Sequence, residues 1–243
     1  MDIYSGGTVR RRESELNKKM SEMESGEPPL TKVEGRSSQF NDMTVMGAPP
    51  LKLRNALEII ANHLHQEFAK VSWLPHKDRS KESCILCSLT VREFLVRADF
   101  QDADARPVCL YLSAHKGGRL VKQLMVPDPD DKRQLPSRWA GHMVVVIPSA
   151  AYLIDTTLYQ AARPEWKSLP GMAAVPLYPA NASLFSMKQI SCVSWKEEDG
   201  YKVTAGWLDA PTNKSWRKSG IERMKNLRRP VINKMINKLQ AIC

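Results

Sequence analysis

Three residues that lie far apart in the chain have side chains suited to nucleophilic chemistry. Cys84 starts the apolar segment CILCSLTVREFLVRA, His142 opens the run HMVVVI, and Asp155 closes the run YLID. A cysteine thiolate attacks carbonyl carbon atoms, an imidazole moves the proton, and a carboxylate orients the imidazole. These residue types predict covalent acyl transfer through a cysteine, provided that the fold brings them together.

A helix has to position the cysteine. The segment from Cys84 to about Ala98 is apolar around most of its circumference, which predicts a central, buried helix. Ser83 precedes it, and serine is a favoured N-cap residue. Cys84 then stands at the helix N-terminus, where the partial positive charge favours the thiolate form. Backbone N–H groups at the same end can hold the oxyanion of an acyl-transfer intermediate.

Two neighbouring strands have to join the imidazole to the carboxylate. The apolar runs that contain His142 and Asp155 flank a short turn at 148–150. With the tip of the turn at residues 149 and 150, Asp155 pairs with Val144 and lies diagonally across from His142 on one face of the sheet. A shift of one residue would place the two side chains on opposite faces. Because buried polar groups are costly unless they are paired, we predict that His142 and Asp155 interact.

The rest of the chain predicts an α+β fold. Leu51–Phe68 has apolar residues at helical spacing. Runs that predict strands follow the Cys84 helix, at Val108–Ala114, His142–Ile147, Ala151–Asp155, Gln189–Trp195 and Tyr201–Trp207. A helical part followed by strands indicates helices packed on an antiparallel sheet. We divide the chain into a disordered N-terminal segment (1–49), a catalytic-type domain (50–210) and a basic tail (211–243).

The order of these elements resembles the transglutaminase-like branch of the papain-like cysteine proteases. In that branch the nucleophilic cysteine heads a helix that ends about four turns later, followed by a turn and a strand. Here the turn DFQDA begins fifteen residues after Cys84, and a strand follows it. The histidine of the family begins a strand, as His142 does, and its aspartate precedes a Thr-Thr pair like the one after Asp155.

The resemblance covers about a third of the chain, roughly from Ser83 to Gln160. It implies a papain-like fold, with Cys84 as nucleophile, His142 as general base and Asp155 as the orienting carboxylate. It also implies a peptide or another amide-containing substrate, and either hydrolysis or transamidation. Trp139 is predicted to wall the substrate cleft and Gln160 to line it, with structural roles as the alternative for both.

Cys87 is the rival thiol, one turn further along the same helix face. Counting from Cys87 leaves only twelve residues to the turn, which fits the family less well. The Cys84-x-x-Cys87 spacing also occurs in redox dithiols and in half of a zinc site. The strand that usually precedes a redox motif is missing, and no second CxxC or HxxxH completes a zinc site. We therefore predict Cys84 as the nucleophile, with no metal and no cofactor.

The net charge of +10 is concentrated in the tail. Residues 211–243 contain nine Lys or Arg and one Glu, which is +8. Apolar residues recur there at helical spacing, and Pro230 predicts a division into two short helices. A basic amphipathic helix can bind nucleic acid, an anionic membrane or an acidic partner. The alternatives are therefore a non-catalytic binding protein with a cationic tail, or a docked terminal helix whose basic face is solvated.

Composition also bears on location. The five cysteines are too few and too scattered for a disulfide scaffold, so they are predicted to be reduced. The sequence has no apolar run of 18 residues, and its first residues lack the apolar core of a signal peptide. We predict a cytoplasmic protein without a transmembrane segment.

Overall fold

A computed structural model describes residues 38–40, 43–70, 83–127, 139, 141–178, 183–184, 187–212, 214–218 and 224–242. These ranges contain three α-helices and ten β-strands, so the fold is α+β, as predicted. The helices are α1 (Leu51–Ala69), α2 (Cys84–Arg97) and α3 (Lys225–Gln240). The strands are β1 (Ser38–Phe40), β2 (Met43–Val45), β3 (Asp104–Lys116), β4 (Arg119–Val126), β5 (His142–Ile147), β6 (Tyr152–Asp155), β7 (Met172–Pro176), β8 (Ser183–Leu184), β9 (Met187–Lys196) and β10 (Lys202–Asp209).

The strands form one sheet in the order β1-β2-β7-β6-β5-β3-β10-β9-β8, with β4 also paired to β3. All pairs are antiparallel except β2 with β7. The sheet curls back on itself, because β7 and β9 meet although four strands separate them in this order. Ser191 Oγ on β9 donates to Pro176 O on β7 at 2.8 Å.

Curling gives the sheet an inner and an outer face, and each face has its own apolar core. On β5, Val144 and Val146 belong to the inner core with Trp207, whereas Val145 and Ile147 belong to the outer core with the helices. This alternation is the two-residue period of a strand. Because both faces are covered, β5 is buried at every position, which explains its uninterrupted apolar sequence.

At the start of β5, one edge of β3 changes its partner strand. The first part of β3 pairs with β5, ending at Val108 opposite His142. From Leu110 onward the same edge of β3 pairs with β4, beginning at Val126. One long strand therefore has two successive partners, and His142 stands where the second replaces the first.

The chain end is part of the globular body and not a separate tail. Helix α3 contacts α1 and α2, and Val231, Ile232 and Met235 are buried in the outer core. Lys234 of α3 pairs with the nearly buried Glu67 of α1 at 2.6 Å. The predicted boundary between a domain at 50–210 and a tail at 211–243 therefore does not describe the packing.

Helix α3 also differs from the predicted pair of short helices. It runs through Pro230 without interruption. Proline in a helix removes one backbone hydrogen bond and crowds the preceding turn. Here it is the sixth residue of the helix, its side chain is exposed, and burial of the three apolar residues that follow it stabilises the helix across that point.

The predicted boundary at residue 50, between a disordered N-terminal segment and the domain, is partly corrected. Met43 and Val45 of β2 are buried in the outer core, so the ordered body begins before residue 50. Residues 1–37 lie outside the described ranges. Strands β1, β2, β4, β7 and β8 were not predicted, whereas those at 108–114, 142–147, 151–155, 189–195 and 201–207 are confirmed, with shifted ends for all but His142–Ile147.

None of the helices in the described ranges is both long enough and apolar enough to span a bilayer.

Candidate active site

Helix α2 begins at Cys84, as predicted. Ser83 occupies the N-cap position, but its side chain makes no capping hydrogen bond, contrary to expectation. Its carbonyl accepts the first bond of the helix, from Cys87 N at 3.0 Å. The N–H groups of Cys84, Ile85 and Leu86 thus precede the first intrahelical bond and have no partner within the helix.

His142 and Asp155 form a buried ion pair. His142 Nε2 lies 2.7 Å from Asp155 Oδ2, and both side chains are 0% exposed. Strands β5 and β6 pair with Val145 opposite Ile154, which is the register that sets Asp155 against Val144. The diagonal arrangement predicted from the turn is therefore correct. The 3₁₀ turn Pro148–Ala150 closes the hairpin, with Ala151 in the left-handed conformation at φ 54°.

Three N–H donors converge on the Asp155 carboxylate. Besides His142, Trp207 Nε1 donates to Oδ2 at 2.9 Å, and the backbone N–H of Thr157 donates to Oδ1 at 3.0 Å. A carboxylate only accepts hydrogen bonds, so the imidazole nitrogen that faces it must carry the proton. Asp155 thereby fixes both the tautomer and the orientation of the ring.

Cys84 lies close to the imidazole of His142, whose second ring nitrogen is Nδ1. Nδ1 is buried and has no hydrogen-bond partner among the described residues. The Cys84 sulfur interacts with the ring and contributes to its raised pKa. The contact falls short of a well-formed hydrogen bond, since the thiol is directed at Gly141 O over a long 3.9 Å. Such pairs are often loose before a substrate binds.

The surroundings of His142 favour its charged form. Burial by itself lowers the pKa of His142, but the charge and hydrogen bond of Asp155, together with the Cys84 sulfur, outweigh burial. The pKa rises from an ordinary value of 6.5 to about 10. The ring is therefore an imidazolium at neutral pH, placed between a carboxylate and a thiol.

Cys87 lies in a different environment. It is fully buried in the outer core. Burial, with a contribution from Cys84, raises the pKa of the Cys87 thiol well above its ordinary value of 9.0. A neutral, sealed thiol is a poor nucleophile, so the structure favours Cys84 over its rival.

A small apolar cluster covers Cys84, which is 7% exposed. Its members are Cys84, Ile85, Leu89, Met143 and Trp216, with Ala105 and Trp139 packed against them. Trp139 lies directly on Gly141, where a Cβ atom would clash with the indole. Glycine directly before His142 is thus required by the close approach of this ring. Trp139 was predicted near the site and lies there.

Trp216 and Trp207 are site residues that the sequence did not reveal. Trp216 belongs to a 3₁₀ turn at Ser215–Lys218, in the segment interpreted as a basic tail. Trp207 was predicted as part of a strand, without a link to Asp155. No sequence pattern around either tryptophan predicts its place at the site, because its neighbours there are far away in the sequence.

Gln160, the second predicted substrate contact, lies in the 3₁₀ turn Leu158–Ala161 and is half-buried. Its backbone N–H donates to Thr157 O, and the turn packs against β7. Behind Asp155, His65 of α1 hydrogen-bonds Thr156 O at 2.9 Å. This bond connects α1 to the end of the strand that carries the carboxylate.

Within the described ranges, no three His, Cys, Asp or Glu side chains are grouped so that they could hold a metal ion. Comparison of the chain with protein-family models, with curated proteins and with solved structures returned no match.

Proposed function

We propose that the protein catalyses cysteine-dependent acyl transfer, with Cys84 as nucleophile, His142 as acid and base, and Asp155 as the orienting carboxylate. The observation that carries the proposal is the fully buried His142–Asp155 pair, with the Cys84 sulfur close enough to the imidazole to raise its pKa. Burying two charges is expensive unless both are well paired. A hydrophobic pair would be the cheaper way to fill this position, so the ion pair points to chemistry.

The reaction would proceed in two steps. The Cys84 thiolate adds to the carbonyl carbon of an amide or ester, and the His142 imidazolium gives its proton to the leaving group as the carbon–heteroatom bond breaks. A thioester remains on Cys84. Water or an amine then loses a proton to His142, attacks the thioester and releases Cys84 as the thiolate, which restores the starting pair. Water gives hydrolysis, and an amine gives transamidation.

The N-terminus of α2 would hold the oxyanion. Its first backbone N–H groups lie beside the nucleophile and have no partner inside the helix. Donors of this kind stabilise the developing negative charge because they are already oriented when the reaction begins. This assignment needs no additional side chain.

The site supports membership of the papain-like superfamily, in its transglutaminase-like branch, as a proposal. A thiol at a helix start and a His–Asp pair on adjacent strands are the features that carry it. The substrate would be a peptide or another amide-containing molecule, with Trp139 as part of the wall beside the thiol. The free cysteines fit a reducing compartment, and we propose the cytoplasm.

Alkylation kinetics test the proposal. At pH 7 we expect iodoacetamide to modify Cys84 at least about tenfold faster than it modifies free cysteine in solution, because a cationic imidazole beside a sulfur increases its reactivity. His142→Gln should remove the difference. The matched control is His63→Gln, which changes a half-buried histidine of α1. Equal rates for Cys84 of the unaltered protein and free cysteine would exclude an activated nucleophile.

A second candidate function is binding of a polyanion through α3. The observation that favours it is the exposure of Lys225, Arg229 and Lys238 on a helix whose apolar side is docked. Nucleic acid, an anionic membrane and an acidic protein would all be attracted to such a surface. The two functions are compatible, since the polyanion would locate the enzyme.

A further inference from the structure

Two cysteines that are not in disulfides share the first turn of α2. Cys84 is the first residue of the helix and Cys87 the fourth, and both are reduced. Residues three apart on a helix lie on the same side, with about 5–6 Å between their Cβ atoms. Consistent with this proximity, Cys84 contributes to the raised pKa of Cys87.

Acyl transfer gives Cys87 no role. It is sealed in the outer core, whereas Cys84 faces Gly141 at the front of the helix. The remaining described cysteines lie on other elements, Cys109 on β3 and Cys192 on β9. Cys87 shares the first turn of α2 with Cys84, so a local movement of that turn would bring the two sulfur atoms together.

We propose that Cys84 and Cys87 form a reversible disulfide when a peroxide oxidises the protein, so that this pair is a redox modification site. The proposal rests on the proposed function only in that both use the Cys84 sulfur as the nucleophile. The disulfide would remove the nucleophile and shield it from irreversible oxidation.

The redox chemistry balances with hydrogen peroxide as the oxidant. The Cys84 thiolate attacks one peroxide oxygen, the O–O bond breaks, and sulfenic acid and hydroxide form, with two electrons passing from sulfur to oxygen. When the first turn of α2 opens, Cys87 loses its proton and the thiolate attacks the sulfenic sulfur, forming the S–S bond. The leaving hydroxide takes up that proton to give water, whose oxygen is that of the sulfenic acid. A dithiol reductant returns two electrons and restores both thiols.

The geometry permits the bond but requires a small adjustment. A disulfide needs about 3.5–4.5 Å between Cβ atoms, which is shorter than the helical spacing. The first turn is the part of a helix that most easily changes shape. Here Ser83 supplies no side-chain cap to hold it. The raised pKa of Cys87 also predicts that the second step becomes faster as pH increases.

Peptide mapping tests the inference on the full-length protein. Trypsin cleavage after Lys81 and Arg92 leaves both cysteines in the one peptide ESCILCSLTVR. After treatment with one equivalent of hydrogen peroxide, we expect this peptide to be lighter by two hydrogen atoms and unreactive to N-ethylmaleimide. After dithiothreitol it should accept two maleimide groups.

Variants separate the disulfide from other oxidation products. With excess hydrogen peroxide, Cys87→Ala and Cys87→Val, which fill the core site differently, should both leave Cys84 as sulfinic or sulfonic acid that dithiothreitol does not reverse, because each further oxidation step consumes another peroxide. In Cys84→Ser, Cys87 should remain reduced, and Cys109→Ser should behave like the unaltered protein. Irreversible oxidation of Cys84 with no disulfide in the unaltered protein would overturn the inference.

The outcome is distinguishable from failure of the proposed function. If the disulfide forms but reduced Cys84 is alkylated no faster than free cysteine in solution, the pair is a redox dithiol and the acyl-transfer proposal fails. If Cys84 is alkylated rapidly and no disulfide forms, acyl transfer stands and the redox site does not.

Discussion

His142 couples the stability of the protein to pH. Its pKa in the folded protein is about 10, against an ordinary value of 6.5. A base whose pKa is raised by folding stabilises the fold fully below the ordinary pKa and loses that contribution as pH rises toward the folded value. The affected window is therefore roughly pH 6.5 to 10.

We expect the free energy of unfolding to decrease between about pH 7 and about pH 8.5, with a slope approaching 1.4 kcal/mol per pH unit. Urea unfolding across this range measures it, and His142→Gln should flatten the curve. The measurement stops below about pH 9 because the thiol groups of the unfolded chain begin to ionise there. Burial raises the pKa of Cys192 to about 11 in the folded protein, so this ionisation would also decrease the free energy of unfolding with a similar slope. Parallel curves for the two proteins would refute the assignment.

Trp207 donates to the same carboxylate oxygen of Asp155 as the histidine. Trp207→Phe keeps an aromatic ring in the inner core but removes one of three donors to a buried anion. Hydrogen bonds to charged groups contribute about 1.5–3 kcal/mol, and we expect a loss of that size together with slower alkylation of Cys84. Circular dichroism melts and the alkylation assay measure the two effects.

The matched control is Trp166→Phe. Its Nε1 donates to Ala161 O at 2.7 Å, a neutral acceptor outside the site. This variant should lose about 1 kcal/mol and leave the alkylation rate unchanged. Equal effects of the two substitutions on alkylation would show that Trp207 acts only through general stability.

At the scale of secondary-structure elements, α3 completes the core. Its apolar side is buried against α1 and α2, and Trp216 just before it lies at Cys84. Two polar contacts reinforce the packing. Lys234 forms an ion pair with Glu67. Arg97 of α2 donates a hydrogen bond to Asn233 Oδ1 at 2.9 Å. The chain end thus supports both the fold and the site.

Ile232→Ala should therefore destabilise the whole protein by about 2–5 kcal/mol, which is the cost of a large-to-small change in a packed core. A detached tail would lose almost nothing. Chemical denaturation followed by circular dichroism measures the change. Asn237→Ala, on the exposed side of the same helix, is the control and should stay within about 0.5 kcal/mol of the parent.

At the scale of the whole molecule, the positive charge of α3 lies on the solvent side of that helix. The apolar side of α3 is occupied, so the charges that remain for a partner are those on its solvent side. Lys234 is already paired with Glu67. Binding through α3 would then depend on a few cations, with the moderate affinity and steep salt dependence of phosphate contacts.

Replacing Lys225, Arg229 and Lys238 together by glutamine tests the second candidate function. If it is correct, affinity for a short DNA duplex or for anionic vesicles should decrease, and the slope of log K against log salt should shrink by up to about 3 for the duplex. Fluorescence anisotropy and vesicle sedimentation distinguish the two ligands. The control removes the same charge from the β9–β10 hairpin, at Lys188, Lys196 and Lys202. Equal weakening by both variants would exclude a role specific to α3.

Local patterns explain why much of the fold was predictable. The continuous apolar run at His142–Ile147 and the apolar helix from Cys84 are signals contained within a few residues, and both elements begin where predicted. Strand β4 was missed because its exposed residues, including Arg119 and Lys122, give it the composition of a loop. Strand β2 was missed because its three residues are a strand only when paired with β7.

The sequence by itself determined which reactive groups are present. They are a thiol at a helix start, and a histidine and an aspartate that lie side by side in only one register of the turn. It could not assign Trp207, which reaches Asp155 across 52 residues, or the indole of Trp216 beside Cys84. Those neighbours arise because a sheet curls and a terminal helix docks. Both events depend on burying apolar surface between distant segments, which no local pattern encodes.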